Sequence, residues 1–300
     1  MAPPLPQKGS LGAWLLGFRL PTLGIAVAPV LVGTAVAYFE RGLRTGPALA
    51  ALVGAILILI GTNLANDVFD YEKGADTGER LGPVRVTQAG LLAPHKVKRA
   101  VALTFLGATA CGVYLAAAAS PWIIALGLLC MASGLAYTGG PYPLGYHGLG
   151  DVFVFVFLGL VAVCGTAFVQ LLRVPWLAVA ASLPLGALAT AVLVVNNVRD
   201  VETDRRAGKR TLAVRLGRGG GLLEYHAATA LAYAVPLALV PRLSAWALLP
   251  LATLPLALRL NVALRRAVGA AMNPLLKRTA QLLLLFGLLW AAGIALSRSP

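Results

Sequence analysis

Charged residues are scarce in this sequence. Only 12% of its 300 residues are Asp, Glu, Lys or Arg, whereas about a quarter of a soluble globular domain is charged. Apolar residues make up 59% of the chain, and the mean hydropathy is +0.81. This composition excludes an ordinary soluble domain and predicts an integral membrane protein. A nucleic-acid-binding protein would need a soluble basic face, which the sequence does not offer.

Cysteine is also rare, with three residues in the chain. Cys111, Cys130 and Cys164 lie within apolar stretches without the spacing of a metal site, so we expect them to pack as small apolar side chains. The N-terminal segment lacks a short apolar core followed by a small-residue cleavage site, unlike a secretory signal. Function therefore has to be sought in the polar residues that interrupt the apolar stretches.

Long apolar stretches are abundant. A membrane-spanning helix needs about 20 apolar residues, and nine stretches qualify: 13–38, 47–66, 98–119, 121–139, 151–172, 175–197, 222–241, 243–264 and 277–296. Their apolar residues do not alternate with polar ones, which favours helices over the strands of a membrane barrel. We therefore predict an all-α membrane protein with about nine transmembrane helices, forming one domain over residues 1–300.

Basic residues are unevenly divided between the two sides of this bundle. On the side opposite the N-terminus, the connections and the C-terminal tail carry only Arg41, Arg44, Arg173, Arg242 and Arg298. All other Lys and Arg residues fall on the N-terminal side. The positive-inside rule therefore predicts a cytoplasmic N-terminus and two cytoplasmic loops, at about 67–97 and 198–221. The net charge of +14 also suits anionic lipid headgroups.

A short acidic motif occurs twice. Residues 66–72 read NDVFDYE and residues 196–202 read NNVRDVE, so Asn, Val, Asp and Glu recur at equivalent positions. Each copy follows an apolar stretch and precedes a basic loop. Internal repeats are frequent in membrane proteins and often meet at the functional site. The pattern predicts an internal duplication.

Each copy also places polar residues on one face of a helix. At 100° per residue, an arc of about 100° contains residues 63, 66, 67 and 70, and a similar arc contains 196, 197, 200 and 204. Carboxylates at the edge of the hydrocarbon are costly unless they are paired or bind a cation. Hard oxygen ligands with room for water and phosphate favour Mg²⁺. The alternative, helix caps on a solvated face, explains a single Asp better than two matched clusters.

Basic segments follow both motifs, at residues 79–90 and 204–218. Mg²⁺ held by acids, with Arg and Lys close by, is typical of a diphosphate site, because the bases neutralise the remaining phosphate charge. With an apolar interior behind such a site, the expected ligand is a polyprenyl diphosphate. Its head would lie on the metal, and its tail would lie among the helices.

These motifs resemble those of the UbiA superfamily of intramembrane prenyltransferases over essentially the whole chain. That family has nine transmembrane helices, an Asn-x-x-x-Asp-x-x-x-Asp motif after helix 2 and an Asp-x-x-x-Asp motif after helix 6. Asn66 and Asp70 match the first motif, and Asp200 and Asp204 match the second. The third position of the first motif is Gly74, so Asp76 is expected to replace it.

One branch of the family is particularly similar. NLANDVFDYEKGADT, RLGPVRVTQAG, YTGGPYPLGYHGLGD and NNVRDVETDRRAGKRTLAVRLG look like segments of the branch that prenylates 1,4-dihydroxy-2-naphthoate. The 4-hydroxybenzoate branch usually has Lys four residues after the tyrosine equivalent to Tyr142, where this chain has Tyr146. The resemblance implies Mg²⁺-dependent attack of the naphthoate ring on the allylic chain, with loss of diphosphate and CO₂. The product would be demethylmenaquinol, and the excess of Arg over Lys favours a bacterial plasma membrane.

The resemblance and the helical spacing together imply a role for each polar residue. As catalytic acids we predict Asp67, Asp70, Asp200 and Asp204. As ligands of Mg²⁺ we predict Asn66, Asp70, Asp76, Asn196, Asp200 and Asp204. For diphosphate binding we predict Arg19, Arg85, Lys209 and Arg210. For the aromatic substrate we predict Asn63, Gln88, Tyr137, Tyr142, Tyr146 and Asp151.

Several of these residues have simpler readings. Arg19 lies in the first span and is a functional candidate, but it can also extend to the cytoplasmic edge. The three tyrosines either contact the ring and the developing cation or anchor the helices at the membrane surface. Asp151 is either a helix cap or an acid near the acceptor. We read His95, His147 and His226 as surface or loop residues.

Two protein classes compete with a prenyltransferase. A transporter would also show repeats and prolines, but its site lies near the midplane, and the spans contain no midplane Asp, Glu or Lys. A CDP-alcohol phosphotransferase would need one dense Asp-Gly and Ala-Arg motif, which is absent. Within the family, 4-hydroxybenzoate remains an alternative acceptor.

Overall fold

The computed structural model describes residues 5–74, 81–140 and 143–298. Regular structure in these ranges is helical, without a β-strand. The α-helices are α1 (Leu11–Phe18), α2 (Gly24–Phe39), α3 (Thr45–Glu72), α4 (Pro94–Ala118), α5 (Trp122–Ala136), α6 (Gly150–Phe155), α7 (Ala162–Leu171), α8 (Trp176–Arg199), α9 (Val201–Arg206), α10 (Leu212–Leu239), α11 (Leu254–Arg266) and α12 (Asn273–Leu296). The prediction of an all-α fold is confirmed.

The described residues contain seven helical segments that are long and apolar enough to span a membrane. They are Thr45–Glu72, Pro94–Ala118, Gly150–Leu171, Trp176–Arg199, Leu212–Leu239, Ala245–Arg266 and Gly269–Leu296. α1 and α2 together pass the same test but are bent by 50°, and α5 is a shorter apolar helix of 15 residues. These nine segments coincide with the nine predicted stretches.

The first span is broken at Arg19. Ser10 caps the N-terminus of α1, because its hydroxyl accepts a hydrogen bond from the Ala13 N–H at 3.3 Å. The helix ends at Phe18, and Arg19 adopts a left-handed conformation with φ 56°. The next turn, Leu20–Thr22, contains Pro21, which has no N–H to continue the helix. The expectation of one continuous span carrying Arg19 is therefore wrong, because Arg19 lies half-buried at a bend.

α8 is the central helix of the bundle. In the most apolar 18-residue stretch of α8, 78% is buried, whereas the corresponding stretch of the peripheral α4 is 17% buried. α8 packs against α10, α12 and α6. Buried polar contacts hold these neighbours in place: Trp290 Nε1 donates to the Ala181 carbonyl at 3.2 Å, and the Tyr225 and Thr279 hydroxyls lie 3.2 Å apart. The second motif, at the end of α8, therefore rests on a closely packed core.

An apolar cavity of about 260 Å³ lies between α2, α3, α4, α5 and the segment Gly150–Leu171. Its wall on α3 runs from Ala51 to Thr62, which is about 16 Å at the rise of an α-helix. Tyr137 lines the cavity directly after the end of α5, next to Thr138, whose hydroxyl donates to Asn66 in the first motif. The cavity therefore extends from the first motif into the apolar part of the bundle.

A π-helical turn borders the same cavity. Val156–Val161 forms this turn between α6 and α7, and Phe157, Leu158 and Val161 line the cavity. On its other side, a Cβ on Gly159 would lie only 2.5 Å from the Gly186 Cα. The turn thus packs backbone against backbone on α8 while its large side chains contribute to the cavity wall. Such turns occur frequently at functional sites.

Candidate active site

The first motif ends in a buried ion pair. Arg85 Nη2 donates to Asp70 Oδ2 at 2.5 Å, and the two side chains are only 8% and 4% exposed. The other carboxylate oxygen, Asp70 Oδ1, is buried without a hydrogen-bond partner among the described residues. Most buried oxygens have a partner, so Asp70 keeps one acceptor available for a ligand.

Asp67 holds the loop that follows this motif. Its two carboxylate oxygens accept the backbone N–H groups of Thr87, at 2.9 Å, and Val86, at 3.0 Å. The residue is 2% exposed. These contacts place Arg85 beside Asp70, so Asp67 acts here as a support of the loop. Its predicted catalytic role stays a prediction.

We expect Asp67→Asn to destabilise the loop that carries Arg85. The amide can replace only one of the two acceptor oxygens, which leaves a backbone donor buried and costs about 2 to 3 kcal/mol. Hydrogen exchange at the Val86 and Thr87 amides should become faster, and the thermal midpoint in detergent should fall. Unchanged protection at both amides would contradict this role.

The connection after α5 contacts the first motif. Thr138 Oγ1 donates to Asn66 Oδ1 at 2.8 Å. Lys73 Nζ donates to the carbonyls of Thr138, at 2.6 Å, and Gly140, at 3.3 Å. Asn63 instead turns towards the bend in the first span, where its Nδ2 donates to the Phe18 carbonyl at 3.4 Å. The first motif is therefore tied to both the bend and the α5 connection.

The second motif bends where α8 ends. Asp200 follows the last residue of α8 with φ −100° and ψ 10°, and α9 begins at the next residue. The predicted uninterrupted helical stripe is therefore kinked. The Asp204 N–H still donates to the Asp200 carbonyl at 2.7 Å, so Asp200 and Asp204 remain one helical turn apart.

Arg199 binds Asp200 with two parallel hydrogen bonds. Its Nη2 donates to Asp200 Oδ2 at 2.6 Å and its Nε donates to Oδ1 at 2.8 Å. Its remaining nitrogen, Nη1, donates to Asn273 Oδ1 at 2.7 Å, and Asn273 Nδ2 donates to the Leu81 carbonyl at 2.8 Å. The start of α12 thus links the second motif to the loop after the first.

Tyr146 lies between the two motifs. Lys209 Nζ is 4.8 Å from the centre of its ring and Lys73 Nζ is 5.8 Å away, both within cation–π range. The Tyr146 carbonyl accepts the Arg210 N–H at 2.8 Å. One lysine follows each motif, so the α5 connection brings the basic residues of both motifs together.

Asp204 and Lys209 form a partly buried pair at 3.5 Å. Burial raises the pKa of Asp204, and the positive charge of Lys209 offsets part of that rise. Burial alone would lower the pKa of Lys209, but the charges of Asp204, Tyr146 and Asp70 outweigh it and raise that pKa. Lys209 thus joins Asp204 of the second motif to the ring of Tyr146, which Lys73 also approaches, so side chains that follow both motifs meet at Tyr146.

A second polar group lies beside Tyr137. Asp151 is 4% exposed, and its Oδ1 accepts from Asn197 Nδ2 at 3.3 Å. A Cβ on Gly150 would lie 2.9 Å from the Tyr137 hydroxyl, so the close approach of Tyr137 requires glycine there. Asp151 and Tyr137 are thus neighbours between the second motif and the cavity. Their role at the aromatic acceptor stays a prediction.

Three further predicted residues, Asn196, Gln88 and Arg210, lie among the described residues. Asn196 is half-buried and forms no side-chain hydrogen bond with the described residues. Gln88 is half-buried in the loop held by Asp67, and Arg210 is exposed. Asp76 and Tyr142 lie outside the described residues.

The predicted metal cluster is not assembled as a group of acids. Among the described residues, no three His, Cys, Asp or Glu side chains lie close enough to hold a metal ion. Asp70, Asp200 and Asp204 each contact a basic side chain instead. The donors are nevertheless hard oxygens, and one of them, Asp70 Oδ1, is buried without a described partner. This donor set fits Mg²⁺.

Arg199, Asn273 and Thr138 form contacts at the site that were not predicted from the sequence. Arg199 directly precedes Asp200 in NNVRDVE, so the sequence could have indicated an ion pair between these two residues. Asn273 and Thr138 carry no such signal, because their partners are distant in sequence and only the packing of α12 and α5 brings them close.

The fold and the site together define an intramembrane enzyme with acidic and basic groups at one end of an apolar cavity. The model of the UbiA prenyltransferase family matches residues 26–285, and the chain belongs to that family. It is therefore a prenyltransferase, as the motifs predicted.

Relatives extend this assignment over nearly the whole chain. It is 41% identical to the 1,4-dihydroxy-2-naphthoate octaprenyltransferase of Mycobacterium tuberculosis, covering 95% of this chain and 98% of the relative. It is 39% identical to the Escherichia coli enzyme of the same name, with coverages of 95% and 96%. A UbiA homolog from Archaeoglobus fulgidus, solved with DMAPP and Mg²⁺, shares the fold with a TM-score of 0.67 at 15% identity, covering 94% of this chain and 99% of that one.

Proposed function

We propose that this enzyme transfers a polyprenyl chain from its diphosphate to 1,4-dihydroxy-2-naphthoate, with loss of CO₂ and diphosphate, to give demethylmenaquinol. The observation that carries this proposal is the convergence of both acidic motifs at one end of the apolar cavity. Two relatives from distant bacteria bear the name of this activity at about 40% identity. The reaction belongs to menaquinone biosynthesis at the bacterial plasma membrane.

The two motifs supply the site for the metal and the diphosphate. Asp70, Asp200 and Asp204, with Asn66 and Asn196, would hold Mg²⁺, directly or through water. Bound Mg²⁺ would neutralise charge on the diphosphate and assist its departure. The solved homolog with DMAPP and Mg²⁺ supports a metal site of this kind in the fold.

Basic side chains complete the diphosphate site. The Lys209 ammonium lies between Asp204 and the ring of Tyr146, and Arg210 is the next residue and is exposed. Arg19 lies at the bend that Asn63 of α3 contacts through the Phe18 carbonyl. Arg85 lies behind Asp70 and forms a buried ion pair with that carboxylate. These four bases would bind the phosphate oxygens or hold the acids that do.

The cavity is suited to the prenyl chain. Its lining is almost entirely aliphatic, aromatic or small, so a chain bound there is removed from water at a gain of about 25 cal/mol per Å². Excluding water near the motifs also protects the allylic carbon from hydrolysis. The chain would run from the motifs past Tyr137 along α3 and α5.

The aromatic acceptor would bind near Tyr137, Tyr146 and Gln88. The π faces of the two tyrosines stabilise positive charge that develops on the allylic carbon. Asp151 and Asn197 are close to Tyr137 and offer hydrogen bonds to the ring hydroxyls. In this arrangement the attacking ring lies between the leaving diphosphate and the start of the cavity.

The distribution of Lys and Arg supports a cytoplasmic position for this end of the bundle. Both substrates would then reach the site from the cytoplasm or the inner leaflet.

A direct assay tests the proposed reaction. The protein in detergent is incubated with a polyprenyl diphosphate, Mg²⁺ and either 1,4-dihydroxy-2-naphthoate or 4-hydroxybenzoate, and prenylated product and CO₂ are measured by mass spectrometry. We expect product and CO₂ only from the naphthoate, and none after EDTA. Product only from 4-hydroxybenzoate would refute the proposed acceptor while keeping the metal and the fold. No product from either acceptor would refute the proposal and would favour a different acceptor or a transport function.

A further inference from the structure

α11 carries two arginines on its outward face. Arg259, Val262, Ala263 and Arg266 fall within an arc of about 100°, and the two arginines are about 10 Å apart along the axis. Both arginines are exposed. Arg259 lies seven residues inside the end of the membrane-spanning segment Ala245–Arg266. A guanidinium at that depth extends to the headgroup region or binds an anion.

This face forms one wall of an open groove of about 720 Å³. The opposite wall consists of Ala267, Ala271 and Leu275, which lead into α12. We call it the α11–α12 groove. Apart from the two arginines, its lining is aliphatic. A ligand that fits this surface combines an anionic group with a hydrocarbon chain.

No carboxylate from this region neutralises the groove. Glu224 is the last acidic residue of the sequence, so α11 and α12 contain none. Neither Arg259 nor Arg266 forms a hydrogen bond or ion pair with another described residue. Lys277 and Arg278 add two exposed positive charges at the start of α12. The positive charge of the groove thus has no acidic counterpart among the described residues that contact it.

The helix end beside the groove does not oppose an anion. The last carbonyls of a helix carry partial negative charge. Here Arg218 Nη2 donates to the carbonyls of Leu264, at 3.0 Å, Arg265, at 3.2 Å, and Ala267, at 2.7 Å. Arg218 therefore covers the negative end of α11, and the exposed arginines act on the groove without this opposing charge.

We propose that the α11–α12 groove binds an anionic phospholipid, with Arg259 and Arg266 on its phosphate and an acyl chain along Leu258 and Val262. Basic pockets between membrane helices are suited to such headgroups. The groove lies at the same end of the bundle as the motifs, because α12 begins at Asn273, which binds Arg199. The lipid would stabilise the start of α12 without being part of the reaction.

Lipid retention measured by native mass spectrometry tests this proposal. The full chain is reconstituted with phosphatidylglycerol or with phosphatidylcholine, released into detergent, and the bound lipids are counted. We expect the wild type to retain one phosphatidylglycerol in preference to phosphatidylcholine. Arg259→Gln with Arg266→Gln should weaken that retention roughly tenfold to thirtyfold, as expected for the loss of two interfacial charges.

A matched control removes the same charge at the other end of the bundle. Arg242→Gln with Arg298→Gln affects residues that stack on Trp176 and Tyr38, and retention should not change. Prenyl transfer measured in neutral lipid confirms that both double variants fold. Equal retention of the two lipids by the wild type, undiminished retention by the Arg259 and Arg266 variant, or displacement by inorganic phosphate alone would overturn the lipid site.

Discussion

Asp70→Asn and Asp200→Asn should each lower prenyl transfer roughly a thousandfold, as expected when a group that stabilises transition-state charge is lost. Each change removes one negative charge from the shared site and keeps the volume of the side chain. Asp70 has one buried oxygen without a described partner, and Asp200 lies one helical turn from Asp204. Turnover is measured with 1,4-dihydroxy-2-naphthoate over a range of Mg²⁺ concentrations.

The control separates catalysis from folding. Glu72→Gln removes a carboxylate from the same helix, two residues beyond Asp70, but Glu72 forms an exposed pair with Lys98. Because such exposed pairs contribute little stability, its activity should stay within about twofold of the wild type. Asp70→Asn removes the carboxylate charge that faces the buried Arg85, which should lower the thermal midpoint. Adding Arg85→Gln removes the second buried charge and should restore the midpoint without restoring turnover. Near-normal activity of either single variant at saturating Mg²⁺ would contradict a shared metal site.

The sequence predicts which acids share a helical face, but not which basic side chains they contact. The repeat NDVFDYE and NNVRDVE identifies Asp70 and Asp200 by spacing alone, because side chains three and four residues apart share a helical face. Asp70 contacts Arg85 only because the loop after α3 folds back onto that helix. Asp200 contacts Arg199, the residue directly before it. Helical periodicity predicts which face of a helix a side chain lies on, whereas its contact partner depends on the path of the chain between helices.

The fold was easier to predict than its interruptions. Nine apolar stretches correspond to nine helical segments because the bilayer leaves the backbone few alternatives to a helix. The bend at Arg19 was missed, although Pro21 lies only two residues beyond it. Pro29 and Pro184 lie inside intact helices, so a proline alone does not identify a break. The π-helical turn at Val156–Val161 has no sequence signal that we recognised.

Gly127→Phe should shorten the prenyl chain that the enzyme accepts. Gly127 lines the cavity from α5, and a Cβ added there meets no atom within 4 Å, so an aromatic side chain can enter the cavity without displacing a helix. It would occupy space that a long chain needs. We expect transfer from an octaprenyl donor to fall roughly tenfold to a hundredfold, the effect of overpacking an apolar site. Transfer from geranyl diphosphate should change by less than about twofold.

Leu128→Phe is the matched control, because it adds an aromatic ring at the next residue of the same helix. Leu128 is 54% exposed on the outer surface and does not line the cavity, so both donors should react as in the wild type. The ratio of the two donor rates separates chain length from stability, since a folding defect lowers both rates equally. If Gly127→Phe leaves the ratio unchanged, the prenyl chain does not occupy this cavity. A changed ratio in Leu128→Phe as well would place the chain on the outer face of α5.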